Sequence, residues 1–121
     1  MVSKNEGKLD EPADAAAPQT DDEYVKSGWE HYSKKEYYRA EADFQKALEL
    51  TPDNVDTMYA LGMTFQASGR QAEAIRTFEK TIQLLENVEE VDFVRAHMMT
   101  RLARGHISRM KTGDWNLDAT R

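Results

Sequence analysis

The chain contains no cysteine. Disulfide frameworks, thiolate nucleophiles and cysteine-ligated zinc are therefore excluded. Its three prolines are Pro12, Pro18 and Pro52, so no proline interrupts a helix after position 52. No stretch approaches the roughly 20 apolar residues of a membrane-spanning helix. The opening Met1-Val2-Ser3-Lys4-Asn5-Glu6 lacks the apolar run of a secretory signal. No Asn-x-Ser/Thr sequon occurs. These absences point to a cytoplasmic protein that makes no contact with a membrane.

Charge is plentiful and unevenly spread. Residues 1–54 carry 13 acids against 7 bases, residues 55–92 carry 7 against 3, and residues 93–121 carry 2 against 6. The net charge of −6 is thus the sum of −6, −4 and +4. A chain polarised from end to end favours acidic partners at its basic end, or self-association of opposite ends.

Residues 1–20 hold only Val2 and Leu9 as large apolar anchors, and Pro12 and Pro18 interrupt any helix begun by the alanines between them. They read as a disordered acidic tail. From residue 21 a unit of 34 residues is written twice. Tyr24 pairs with Met58, Gly28 with Gly62, Trp29 with Met63, Ala40 with Ala74, Phe44 with Phe78 and Lys46 with Lys80. A fixed period in this range signals stacked supersecondary units.

Each unit divides into two helices. The first spans about 22–33, with Tyr24, Gly28 and His31 on one side and Val25, Trp29 and Tyr32 on the next. The polar run 33–36 makes a turn, and a second helix runs from Tyr37 to Leu50. Pro52 ends it, and Asp53 or Asn54 caps the next helix. The second unit repeats this with helices over 55–67 and 71–85, turning at Gly69. Small residues such as Gly28 and Ala40 let two helices approach closely.

After residue 86 the period fails. Gly113 and Trp115 fit where Lys35 and Tyr37, or Gly69 and Gln71, stand in the earlier units. That alignment puts ten extra residues before the third turn. Asn87 and Glu90 could form a capping pair that starts a new helix. Val91, Val94, Met98 and Leu102 recur at three and four, which predicts one long helix over 88–111, about two turns longer than its counterparts. The expected organisation is an acidic tail (1–20), a helical domain (21–115) with repeats at 21–54 and 55–86 plus the long helix, and a tail (116–121). Either the long helix closes the stack alone, or its open face finds another subunit.

Gly, then Ala twelve residues on, then Phe four further, resembles the tetratricopeptide repeat over about 21–86. The resemblance implies an all-α fold of antiparallel helical hairpins stacked as a short right-handed solenoid. It further implies a non-catalytic scaffold that holds a peptide or protein segment on its concave face. The positions lining that face in the family are Val25, Trp29, Tyr32, Tyr59, Met63 and Gln66 here. Aromatic and Met side chains of this kind anchor interfaces, though on a helix they serve equally well as core. The Lys/Asn/Arg clamp that one branch of the family uses for chaperone tails is absent, since Val25, Trp29 and Met63 hold those positions. The sequence departs from the family pattern at Ser27, His31, Thr81 and Glu86.

No arrangement points to catalysis. His106 and Ser108 diverge on a helix, and His97 and His106 lie on opposite faces. No metal-binding histidine pair, phosphate loop or calcium loop occurs. The chain is expected to have no enzymatic activity, metal or cofactor. Arg101, Arg104, Arg109 and Lys111 form a possible contact surface for an acidic partner, or pair with acids of this chain. The overall negative charge argues against nucleic acid.

Overall fold

The computed structural model describes residues 18–87 and 93–113. The expected acidic tail up to residue 17, the start of the long helix at 88–92, the Asn87–Glu90 capping pair and the segment from 114 onward fall outside them. Five helices are described: α1 (Asp21–Ser33), α2 (Tyr37–Leu50), α3 (Val55–Ala67), α4 (Gln71–Leu85) and α5 (Phe93–Thr112). No strand occurs among the described residues. Helices pack mainly on their neighbours in sequence, α1 on α2, α2 on α3, α3 on α4 and α4 on α5. This is an all-α helical-repeat solenoid.

Local chemistry sets the boundaries. Thr20 caps α1: its hydroxyl accepts from the Glu23 amide at 3.1 Å, and the Glu23 carboxylate accepts from the Thr20 amide at 3.1 Å. This reciprocal box satisfies two otherwise orphaned donors. Asn54 caps α3 by accepting from the Thr57 amide at 3.2 Å. The two hairpin turns are built alike. The Glu36 amide reaches back to the His31 carbonyl, and the Arg70 amide to the Phe65 carbonyl, both at 2.9 Å. Such six-to-one closures need a left-handed residue. Lys35 (φ 63°) and Gly69 (φ 84°) supply it. Gly113 (φ 84°) is likewise left-handed after α5, as its alignment with Gly69 predicts, and its amide donates to the Arg109 carbonyl at 2.8 Å.

The core runs along the stack. Ala40, Phe44, Ala47, Ala74 and Phe78 are fully buried. The Phe44 ring lies against Gly28 of its own hairpin, and Phe78 lies against Gly62 in the same way. A Cβ at Gly28 would stand 2.6–2.9 Å from three Phe44 ring carbons. Glycine is therefore required there for space rather than for backbone freedom.

Three of the departures from the repeat pattern, Ser27, His31 and Thr81, have partners. Ser27 donates to Asp43 on α2 at 2.7 Å, and His31 Nδ1 lies 2.8 Å from the Glu36 carboxylate. Polar contacts thus join α1 to α2 where apolar packing is usual. Thr81 is fully buried and returns its hydroxyl to the Thr77 carbonyl at 2.8 Å, so no polar group is orphaned. Between the repeats, Arg70 bridges Glu41 of α2 at 2.5 Å and Glu73 of α4 at 2.6 Å, and stacks over Phe65 with its guanidinium carbon 4.6 Å from the ring centroid. These carboxylates raise the Arg70 pKa further above its ordinary value, so the bridge stays charged across the working range.

Candidate functional site

Val25, Trp29 and Tyr32 follow one another at four and three residues on α1, and Tyr59, Met63 and Gln66 do so on α3. Helical geometry gives each trio one side of its helix, next to the side that packs on the following helix. On α1 the aromatics brace each other. Trp29 meets Tyr32 edge-on at 5.2 Å between centroids and Phe44 at 5.3 Å. Trp29 keeps 39 % of its surface exposed despite these contacts. Val25 and Tyr32 are half-buried, and burial raises the Tyr32 hydroxyl pKa.

On α3 the surroundings differ, because α5 reaches over part of it. The Tyr59 hydroxyl lies 2.9 Å from His106 Nε2, and its ring meets both Phe78 and His106. The His106 ring stacks on Phe78 at 4.8 Å, with 4° between planes. Burial raises the Tyr59 pKa and lowers that of His106, since each charged form loses hydration. Arg95 of α5 pairs with Asp56 of α3. Met63 and Gln66 remain half-buried.

His106 is the residue that sequence reasoning missed. It stands 47 residues from Tyr59, and counting by 34 from Gly62 leads to Ala96 instead. Counting back from the turn glycine would have found it: Gly28, Gly62 and His106 each stand seven residues before the left-handed residue of their turn. Arg95, Leu102, His106 and Arg109, at spacings of seven, four and three, share one side of α5. Two of them touch α3. Leu102, 39 % exposed, and the exposed Arg109 therefore border the same surface as Tyr59.

The four basic candidates do not converge. Arg104 lines a cleft of about 300 Å³ between α4 and α5, together with Leu85, Phe93, Ala96 and His97. Lys111 lies 3.9 Å from Glu79 of α4. Arg101 is half-buried, and Arg109 sits on the side toward α3. Among the described residues, no group of three or more His, Asp or Glu side chains could hold a metal, and no helix is long and apolar enough to cross a membrane.

The buried imidazole predicts a pH dependence of stability. The folded-state pKa of His106 lies below its ordinary 6.5, so on acidification the unfolded chain takes up the proton first. Stability should be full above pH 6.5, fall as pH drops toward the folded pKa, and level off below it. Hydrogen bonds to their carboxylates hold the pKa values of Glu23, Glu36 and Glu73 below the ordinary value, so their contribution is also lost as pH falls. Urea midpoints measured through that window should slope for the wild type and slope less for His106→Gln.

Stacked helical hairpins with a repeated Gly–Ala–Phe core define a helical-repeat protein. Residues 31–87 match the family model of the tetratricopeptide repeat. A TPR repeat-containing protein of Methanocaldococcus jannaschii is 28 % identical over 81 residues, covering 64 % of this chain and 14 % of that relative. The chain thus spans a small part of the curated relative it matches. No solved structure matches at the same significance. Tetratricopeptide repeats generally mediate protein–protein interaction and are generally non-catalytic.

Proposed function

We propose that the chain is an interaction module that holds a peptide or protein segment across the α1 and α3 sides bearing Val25, Trp29, Tyr32, Tyr59, Met63 and Gln66. The observation that carries this reading is the exposure of Trp29. A large ring is held in place by Tyr32 and Phe44 yet leaves 39 % of its surface open. Rigid, half-exposed aromatics make efficient anchors because little side-chain freedom is lost on contact. Tyr59 contributes less free surface, since His106 lies against it.

The anchoring residue of the ligand would be apolar or aromatic, because Trp29, Tyr32 and Met63 offer ring and thioether surfaces. Peptide selection from a displayed library, followed by anisotropy with the selected peptide, tests this. Trp29→Ala should weaken binding about tenfold or more, a modest hot-spot effect. Peptides whose affinity ignores both Trp29→Ala and Met63→Ala would refute the assignment.

A further inference from the structure

The spacing that places the two groove trios occurs a third time, on α5. In α1 the order is Val25, Gly28, Trp29 and Tyr32, and α3 repeats it 34 residues on. The same spacing returns 43 residues after that (59 to 102) as Leu102, Gly105, His106 and Arg109. Gly28, Gly62 and Gly105 are all buried, so each trio keeps the same register to a buried glycine. Counting back from the turn would choose other residues. Tyr32 and Gln66 stand three before Lys35 and Gly69, and three before Gly113 is Met110. Met110 packs on the core with Ala103 and Ile107, whereas Leu102 and Arg109 are exposed. The glycine register therefore gives the side of α5 that continues the groove. Its middle member, His106, lies against Tyr59 and closes the seam between α3 and α5.

The three trios repeat in position and differ in chemistry. Their last members are Tyr32, Gln66 and Arg109, so that row runs from a ring through a neutral amide to a cation. None of the nine positions holds Asp or Glu. Other cations of α5 are engaged within the chain, Arg95 by Asp56 and Lys111 by Glu79. Among the described residues, Arg109 has no carboxylate partner, and it is exposed. A guanidinium at the end of an otherwise uncharged row is a ready partner for a carboxylate supplied from outside, which it can grip through two parallel N–H donors.

We infer that the groove continues onto α5 and takes a segment that carries Asp or Glu beside its apolar anchor, with Arg109 holding the carboxylate. The apolar residue lies against Trp29 and Met63, and the acid sets the direction in which the segment crosses the helices. The inference rests on the groove reading and adds to it the acidic requirement and the third wall.

A displayed library of random peptides, selected on the full chain at low salt, tests this. Wild-type selection should return Asp or Glu together with an aromatic or large apolar residue. Selection on Arg109→Glu should lose the acids and keep the apolar residue. The best wild-type peptide is then compared by anisotropy with its neutral form, in which Asp and Glu become Asn and Gln. Arg109→Gln should weaken the acidic peptide about threefold to fivefold and leave the neutral one unchanged. Added salt should erase the difference. Arg104→Gln removes the same charge on the α4 side and should change neither affinity. Arg109 is exposed, so its variants keep their helix content by circular dichroism. Selected peptides without acids, an equal loss for both peptides, no loss for the acidic one, or the same loss in Arg104→Gln would each overturn the inference. If Trp29→Ala still weakens those peptides, the groove itself survives. Peptides that ignore both Trp29→Ala and Met63→Ala, or a selection that yields no binder, would remove the groove and this inference with it.

Discussion

Phe44→Ala should unfold the first repeat under conditions where the wild type is fully folded. The Phe44 ring is wholly buried and touches three elements of its surroundings: Gly28, the Trp29 ring and the alanine-lined core of α2. Truncation removes the transfer free energy of a large aromatic and leaves a cavity that rigid helices cannot close. Losses of about 3–5 kcal/mol are typical for such a change. Small domains have about 5–15 kcal/mol in total, so the effect is a large share of the whole. The urea midpoint by far-UV circular dichroism should fall sharply. A midpoint within the scatter of surface variants would show that Phe44 does not hold α1 to α2.

Gly28→Ala should also destabilise, for the opposite reason. The added methyl would stand 2.6, 2.8 and 2.9 Å from Phe44 ring carbons, and that ring is wholly buried. Overpacking costs about 1–3 kcal/mol, and a buried, immobile neighbour puts this site near the upper end. Alanine returns up to about 1 kcal/mol through helix propensity. The net loss is therefore about 2 kcal/mol. The pair of changes is diagnostic. Combined with Phe44→Leu, the extra methyl gains room, so Gly28→Ala should cost much less in that background than alone. Strict additivity would mean the two residues are not coupled in the way the geometry requires.

The repeats were readable because their signals are local. The bounds of α2, α3 and α4 coincide with those read from sequence, since Pro52, Gly69 and the 34-residue period all mark the same joints. The start of α1 was less legible, although Thr20 and Glu23 three residues later have the spacing of a capping box. Ser27 and His31 were visible as departures from the family pattern. Their partners Asp43 and Glu36 were not, because matching side chains across a hairpin requires the crossing of the two helices.

The placement of α5 was the least legible. An insertion before it breaks the period, so nothing in a repeat count connects Tyr59 to His106. The difference matters for the candidate site. Trp29 and Tyr59 belong to corresponding trios on α1 and α3, yet one faces open space and the other faces an imidazole. Repetition in sequence made the two trios look interchangeable. The neighbouring helix makes them different.

The distribution of burial along the stack has a mechanical meaning. α3 buries seven residues: Thr57, Met58, Ala60, Leu61, Gly62, Thr64 and Phe65. α1 buries one, Gly28, and rests on α2 alone among its larger contacts. In a chain of nearest-neighbour contacts, a helix held by one neighbour opens more readily than one held by two. Among the described residues α1 packs mainly on α2, whereas α3 packs on both α2 and α4, so the wall that carries Trp29 should yield more easily than the wall that carries Tyr59, Met63 and Gln66. A ligand that spans both would gain part of its affinity by clamping α1 against the stack, and it would stabilise the first repeat more than the second.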